Sequence, residues 1–127
     1  MLQVIITSCC DTSSGKGTLA LRTYVSVSIS DIRAHYGSGA GRHWFDRGTM
    51  RFFKTKLPRV AYANNTREVA FFVTRETGPE MPSRYSVRKY DFRTRNIETV
   101  GDFNSWVSRE DATANAKALA EFNQVLP

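Results

Sequence analysis

EVAFFVT, residues 68–74, is the stretch that decides the fold, because it is almost continuously apolar. A run of this kind is typical of a central strand that is covered on both faces. The preceding segment, residues 59–63, reaches it through Asn64-Asn65-Thr66, and asparagine tolerates the positive φ that tight turns require. We therefore predict a β-hairpin over residues 59–74.

A second hairpin is predicted downstream, where the segment RYSVRKYDF at residues 84–92 again has the periodicity of a strand. Tyr85 and Val87 share one face of this strand. The other face carries Arg84, Ser86, Arg88 and Tyr90. The segment FRTRN then turns the chain into IETV at residues 97–100, which forms the second arm.

An earlier strand is predicted around residues 19–29, where apolar and mostly polar side chains alternate with a period of two. The apolar positions are Leu19, Leu21, Val25, Val27 and Ile29. Asp31 then has the residue type that caps a short helical turn. The segment GSGAGR at residues 37–42 must bend, because three of its first five residues are glycine.

Two further helices are predicted. The first is short, from Met50 to Leu57, with Asp46 or Thr49 as the N-cap and Pro58 as the residue that ends it. Its apolar stripe consists of Met50, Phe53 and Leu57, flanked by Phe52.

The C-terminal helix is predicted to begin after Ser108, which stands three residues before Asp111 as in a capping box, and to run to about Asn123. Its inward positions are Ala112, Ala116, Leu119 and Ala120. Together these elements predict an α+β fold: an antiparallel β-sheet of four to five strands, with a short helix and a C-terminal helix packed on one face. The 127 residues suit a single domain.

The charge points to a polyanionic partner. Eighteen Lys and Arg residues against twelve Asp and Glu give a net charge of +6 and a pI near 9.7, an imbalance typical of proteins that bind phosphate backbones. Most of these cations fall in residues 42–59 and 84–95. If the two stretches form one surface, the nucleic-acid-binding or partner-binding residues are Arg42, Arg47, Arg51, Lys54, Arg84, Arg88, Tyr90, Arg93 and Arg95. Two separate solvated surfaces are the alternative.

Signals for catalysis, cofactors and membranes are missing. The segment SSGKGT lacks the glycine spacing of a phosphate-binding loop, and two cysteines with two scattered histidines give no zinc-ligand spacing. The cysteines, Cys9 and Cys10, are adjacent and poorly placed for a mutual disulfide. No run of about 20 apolar residues is present to span a bilayer. We expect a cytoplasmic, non-enzymatic protein with no metal, no small-molecule cofactor and no membrane partner.

Three segments carry a resemblance to a known group of proteins: WFDRGTMRFFKTKL, AFFVTRE and RYSVRKYDFRTRNIETVGDFN, followed by an alanine-rich end. In these segments the chain resembles a family of small bacteriophage-encoded proteins of unassigned function. The resemblance covers about residues 43–120 and leaves residues 1–35, with the first strand, outside. It implies a phage or mobile-element origin, a location in the cytoplasm of the infected host, and no catalytic residues.

These observations favour a non-enzymatic binding protein whose arginine-rich face engages nucleic acid or a host nucleoprotein complex. Its most concrete form is an inhibitor of a host defence system such as CRISPR. One alternative is a small metal-independent ribonuclease of the type that cleaves messenger RNA, with His43, Arg84, Arg88 and Tyr90 as candidate groups. Another is a virion or assembly component.

Overall fold

The computed structural model describes residues 3–6, 23–37, 42–45, 47–80 and 82–125. In these ranges the strands are β1 (Gln3–Ile6), β2 (Thr23–Ser28), β3 (Val60–Ala63), β4 (Val69–Glu76), β5 (Arg84–Asp91) and β6 (Asn96–Val100). The helices are α1 (Ile29–Tyr36), α2 (Arg47–Phe52) and α3 (Arg109–Phe122). The predicted α+β class is confirmed.

The sheet is an antiparallel meander in which each strand pairs with the one before it, in the order β1-β2-β3-β4-β5-β6. The central ladder joins β4 to β5 from Val69↔Asp91 to Glu76↔Arg84. Both predicted hairpins are present. The described sheet has one strand more than the expected four to five, because residues 3–6 pair with β2.

The central position of β4 explains its continuous apolar run. Phe71 and Val73 point to the face that carries α3, which we call the α3 face, and Ala70 and Phe72 point to the opposite face. Phe72 is fully buried, and complete burial of a side chain of this size contributes about 1.5 to 3 kcal/mol to folding. The prediction of a strand covered on both faces is confirmed.

The α3 helix forms as the sequence predicts. The Ser108 hydroxyl accepts a hydrogen bond from the backbone N–H of Asp111 and so caps the helix. Ala112, Ala116 and Ala120 are completely buried against the sheet. Because alanine has a minimal side chain, the helix axis can lie close to the strands beneath it.

The opposite face is covered by α1, and we call it the α1 face. Ile32 and Tyr36 pack there against Val25, Val27 and Phe72. The described helices α1 and α3 therefore lie on opposite faces of the sheet. The cap of α1 is Ser28, whose hydroxyl accepts from the N–H of Asp31. The prediction that Asp31 is the cap was wrong, because Ile29 already belongs to the helix.

The short helix predicted at residues 50–57 is displaced toward the N-terminus. It ends at Phe52, Lys54 has a φ of 49°, and Lys56 pairs with Arg75 as an isolated antiparallel bridge. The backbone after Phe53 thus satisfies its hydrogen bonds by extending the sheet beside β4. Tertiary pairing overrides a helical pattern here, and Leu57 packs into the core from an extended segment.

The turn between β3 and β4 uses asparagine differently from the prediction. The residue with positive φ is Arg67, at 58°. Asn64 is buried, and its side-chain oxygen accepts hydrogen bonds from the N–H groups of Glu68 and Val69. The side chain of Asn64, and not its backbone freedom, therefore fixes the turn.

Part of the sequence interpretation concerns residues outside the described ranges. These are residues 19–22 of the early strand, the cysteines, the SSGKGT segment, Asp46 and most of GSGAGR. The first glycine of GSGAGR, Gly37, ends α1 with a φ of 78°. In the described part of the chain, none of the helices has the length and apolar character needed to cross a bilayer.

Candidate nucleic-acid interface

One end of the sheet gathers basic residues from four parts of the chain. At this end β4 stops and β5 starts, so the bridge between Lys56 and Arg75 brings in the segment after α2. A second bridge, between Tyr85 and Trp106, brings in the segment that leads to α3. We call this region the basic end, and its cations are Arg51, Lys54, Lys56, Arg59, Arg75, Arg84 and Arg109.

A cavity of about 400 Å³ opens at the basic end on the α3 face. Its volume falls in the range of about 300 to 1,000 Å³ that is usual for ligand pockets. Four cations line it, and the rings of Tyr62 and Tyr85 add aromatic surface. The four are Lys56, Arg59, Arg75 and Arg109. The described lining residues include no carboxylate.

Two of the four cavity cations contact neutral side chains. The Arg75 Nε donates to the Ser83 hydroxyl at 2.6 Å, and the Arg109 guanidinium carbon lies 5.8 Å from the centroid of the Tyr85 ring. Within the described ranges none of the four cavity cations forms a salt bridge. Their charge is therefore available to an anion, and guanidinium groups suit phosphate because they present two parallel N–H donors.

Carboxylates at the basic end reduce its positive charge but do not neutralise it. Four exposed acids lie in its loops and in the first turn of α3: Glu80, Asp102, Glu110 and Asp111. Hydrogen bonds from its own backbone N–H and from Ser108 lower the pKa of Glu110, so it stays ionised as part of the helix cap. Among the described residues, 7 cations of the basic end therefore outnumber its 4 exposed carboxylates, and the net charge of these groups is positive.

The helix α3 continues the positive wall beyond the cavity. Lys117 lies two helical turns after Arg109, about 12 Å along the axis at 1.5 Å per residue. Its ammonium nitrogen is 5.4 Å from the centroid of the Tyr62 ring and 5.9 Å from that of Tyr24. This spacing places Lys117 on the same side of α3 as Arg109, over the ring of Tyr62, which also lines the cavity.

Two of the predicted contact residues are buried and cannot reach a partner. Arg88 is 8% exposed, donates from its NH2 group to Glu76 at 2.6 Å, and lies 5.3 Å from the ring centroids of both Trp44 and Phe103. Tyr90 has no exposed surface. Both predictions were wrong, because the pattern of alternation in β5 does not reveal that its second face is covered by α1 and its neighbours.

Tyr90 is part of a hydrogen bond at the other end of β5. Its hydroxyl oxygen lies 2.6 Å from Nδ1 of His35, and burial raises the pKa of the Tyr90 hydroxyl. Burial, with a smaller effect of the nearby Arg95 charge, lowers the pKa of His35. The neutral form of His35 is thus favoured relative to that of a free histidine.

The predicted basic stretches are divided between two ends of the molecule. Arg51, Lys54 and Arg84 are exposed at the basic end. Arg93 and Arg95 lie in the turn after β5. The 8 residues of that strand, Arg84–Asp91, span about 23 Å, at about 3.3 Å for each step between neighbouring residues. Arg42 is half-buried, and its charge, like that of Arg95, acts on Tyr90. The side chain of Arg47 lies outside the described part of the structure.

The cavity contains two residues that sequence reasoning missed, Arg75 and Arg109. Lys56 and Arg59 belong to the basic stretch already noted, but Arg75 stands alone in β4 and Arg109 follows a cap. Alternation does place Arg75 on the same side as Val73. The alternation of β4 could therefore identify the face on which Arg75 lies. Only strand pairing and helix docking show that the four cavity cations lie together.

The candidate ribonuclease residues do not form a common site. Arg84 and Tyr90 are six residues apart on β5, about 20 Å, and both Arg88 and Tyr90 are buried. Metal-binding clusters of three or more His, Cys, Asp or Glu side chains are absent from the ranges that the structure describes.

Comparison with known protein families identifies the chain as similar to a described family. A family model described as a family of unknown function (DUF7447) matches residues 28–117, from the end of β2 into α3. No curated protein and no solved structure matches the chain. The matched range includes both hairpins and all of the cavity residues.

Proposed function

The chain belongs to the DUF7447 family of unknown function, and we propose that it is a non-enzymatic protein that binds nucleic acid through the basic end. The observation that carries this proposal is the cavity itself. It is lined by four cations that have no salt-bridge partner among the described residues.

A phosphate backbone is complementary to this surface in charge. Each phosphate neutralised by an arginine or lysine releases counterions, which favours binding. The remaining exposed cations of the basic end, Arg51, Lys54 and Arg84, extend the positive surface beyond the cavity, and Lys117 extends it along α3. A polyanion can contact several of these groups at once, whereas an isolated small anion occupies the cavity alone.

The direct test is the salt dependence of binding to a fluorescein-labelled oligonucleotide, followed by fluorescence anisotropy. Affinity is expected to fall steeply between about 50 and 200 mM salt, because released counterions must be bound again. An affinity that stays level over this range contradicts phosphate-driven binding.

A matched pair of double variants locates the interface. Arg75→Glu with Arg109→Glu is expected to weaken binding at least about tenfold, because two phosphate contacts are replaced by repulsion. Arg93→Glu with Arg95→Glu makes the same change in net charge at the opposite end and is expected to weaken binding much less. Equal losses in the two variants mean that only net charge matters, and the assignment to the basic end then fails.

The narrower forms of this proposal rest on the resemblance to small phage proteins. In them the protein acts in the cytoplasm of an infected bacterium and inhibits a host nucleoprotein complex, such as a CRISPR effector. A basic surface that competes for guide RNA or target DNA would serve that role. An assay of effector cleavage with and without the protein tests it, with the Arg75/Arg109 variant as the control.

A further inference from the structure

Three phenylalanine rings form an exposed patch on the α1 side of the basic end. The centroids of Phe52 and Phe53 are 4.6 Å apart, and those of Phe53 and Phe103 are 5.3 Å apart. Phe52 is 62% exposed and Phe103 is 41% exposed. Rings of this size are usually buried, so two exposed neighbours at one place call for a partner.

The Phe103 ring is supported from below. The Arg88 guanidinium lies against it at 5.3 Å, and Arg88 is itself fixed by its bonds to Glu76 and to the hydroxyl groups of Thr74 and Thr99. The next residue is anchored too, because the backbone N–H of Asn104 donates to the Ser86 hydroxyl at 2.7 Å. One side of the ring therefore rests on a hydrogen-bonded, buried group, while the ring keeps 41% of its surface exposed.

Exposed cations surround the patch. Arg51 and Lys54 flank the two rings of the α2 segment in sequence. The start of β5, with Arg84, lies near the segment that contains Phe103, because the next residue, Asn104, donates hydrogen bonds to the Ser86 hydroxyl and to the Pro82 carbonyl. Aromatic rings interspersed with cations are the arrangement by which proteins hold unpaired bases while contacting the backbone.

From this juxtaposition we infer that the basic end is specific for single-stranded nucleic acid: unpaired bases stack on Phe52 and Phe103 while phosphates lie against Arg51, Lys54, Arg84 and the cavity. The inference rests on the proposed function and adds the substrate class. A duplex keeps its bases stacked on each other and cannot offer their flat faces to these rings, so it gains only the phosphate contacts.

The ring patch and the cavity are joined by a short segment of the chain. The segment from Phe53 to Lys56 connects the ring patch to the cavity, and it is fixed to β4 by the bond from the Thr77 N–H to the Phe53 carbonyl and by the pairing of Lys56 with Arg75. A single-stranded nucleic acid that crosses this end of the sheet can thus contact the phenylalanine rings on one face of the sheet and the cavity on the other face.

The test compares a single-stranded DNA oligonucleotide with the duplex of the same sequence, each fluorescein-labelled, by anisotropy at one salt concentration. The single strand is expected to bind at least about tenfold more tightly, since stacking adds to phosphate binding only there. Phe52→Leu with Phe103→Leu keeps the apolar bulk but removes the flat rings. This variant is expected to lose about tenfold for the single strand and to keep its duplex affinity.

A control variant and a stability measurement complete the design. Phe122→Leu removes a ring that is 84% exposed at the far end of α3 and is expected to leave both affinities unchanged. Thermal melts establish that the ring variants are folded at the assay temperature. Equal binding of single strand and duplex, or no loss in the Phe52/Phe103 variant, overturns this inference and leaves the proposed function standing. Binding of neither nucleic acid overturns both.

Discussion

Arg88 and Glu76 form a salt bridge in the interior of the protein, with 2.6 Å between Nη2 of Arg88 and Oε2 of Glu76. The side chains are 9% and 1% exposed. Thr74 and Ser86 donate their hydroxyl protons to the same carboxylate. A buried charge pair of this kind is tolerated because the three guanidinium nitrogens and both carboxylate oxygens have hydrogen-bond partners.

Removal of the Glu76 carboxylate should therefore lower the stability of the fold strongly. Glu76→Ala leaves the Arg88 charge buried without its counter-ion, and we expect the free energy of unfolding to fall by about 3 to 5 kcal/mol. Glu98→Ala removes the partner of Lys89 from an exposed pair at 3.9 Å and is expected to change stability by less than about 1 kcal/mol. Urea titration of both variants measures the difference, and similar losses would contradict a buried pair.

Arg84 and Arg88, which are four residues apart on the same face of β5, should respond differently to substitution. Arg84→Glu is expected to weaken binding to nucleic acid and to leave the melting temperature nearly unchanged, because Arg84 is exposed. Arg88→Glu places a second carboxylate beside Glu76 and is expected to lower the free energy of unfolding by more than about 3 kcal/mol. Anisotropy and thermal melts distinguish the two, and a stable Arg88→Glu protein would refute the burial of Arg88.

Asn64 should be important for stability, although it lies in a turn. Its oxygen accepts from two backbone N–H groups, and its Nδ2 donates to the Asn123 carbonyl at 3.0 Å, which links the turn to the end of α3. Asn64→Ala leaves these partners unsatisfied and is expected to cost about 1 to 3 kcal/mol. Asn96→Ala, at an exposed position, should cost less than about 0.5 kcal/mol. Chemical denaturation compares them, and equal stabilities would exclude the role of this side chain.

The pH dependence of stability should reflect His35. Its pKa in the folded protein is below the ordinary value of 6.5, so the unfolded chain binds the proton more readily. The stabilisation is fully present above about pH 6.5 and is lost as the pH falls toward the folded pKa. Relative to His35→Gln, the wild type should lose melting temperature between about pH 7 and pH 5.5. A constant difference between the two proteins over this range would show that the folded pKa of His35 is unperturbed.

Local patterns predicted the framework of the fold correctly. The apolar run of residues 68–74, the alternation of residues 84–92 and the cap at Ser108 identify elements whose stabilising interactions are encoded nearby in the chain. The helix predicted at residues 50–57 failed for the opposite reason. Its second half makes a bridge to Arg75, and that partner is remote in sequence.

The same distinction applies to the candidate site. Composition revealed an excess of positive charge, and clustering identified Arg51, Lys54 and Arg84 as exposed basic groups. It could not show that Arg88 pairs with Glu76 or that Tyr90 is covered by α1. The alternation of a strand assigns residues to faces, but which face meets solvent depends on the packing of other elements.

The sequence by itself determined an antiparallel α+β fold with a double-covered central strand, a capped C-terminal helix and a basic surface, because each depends on periodicity, capping or charge within a short segment. Only the tertiary structure decided which cations are exposed, that Lys56, Arg59, Arg75 and Arg109 line one cavity, and that Phe52 and Phe103 form an exposed patch on the other face of the same end. Strand pairing and helix docking join residues far apart in the chain, and those contacts are set by the packing of the whole molecule.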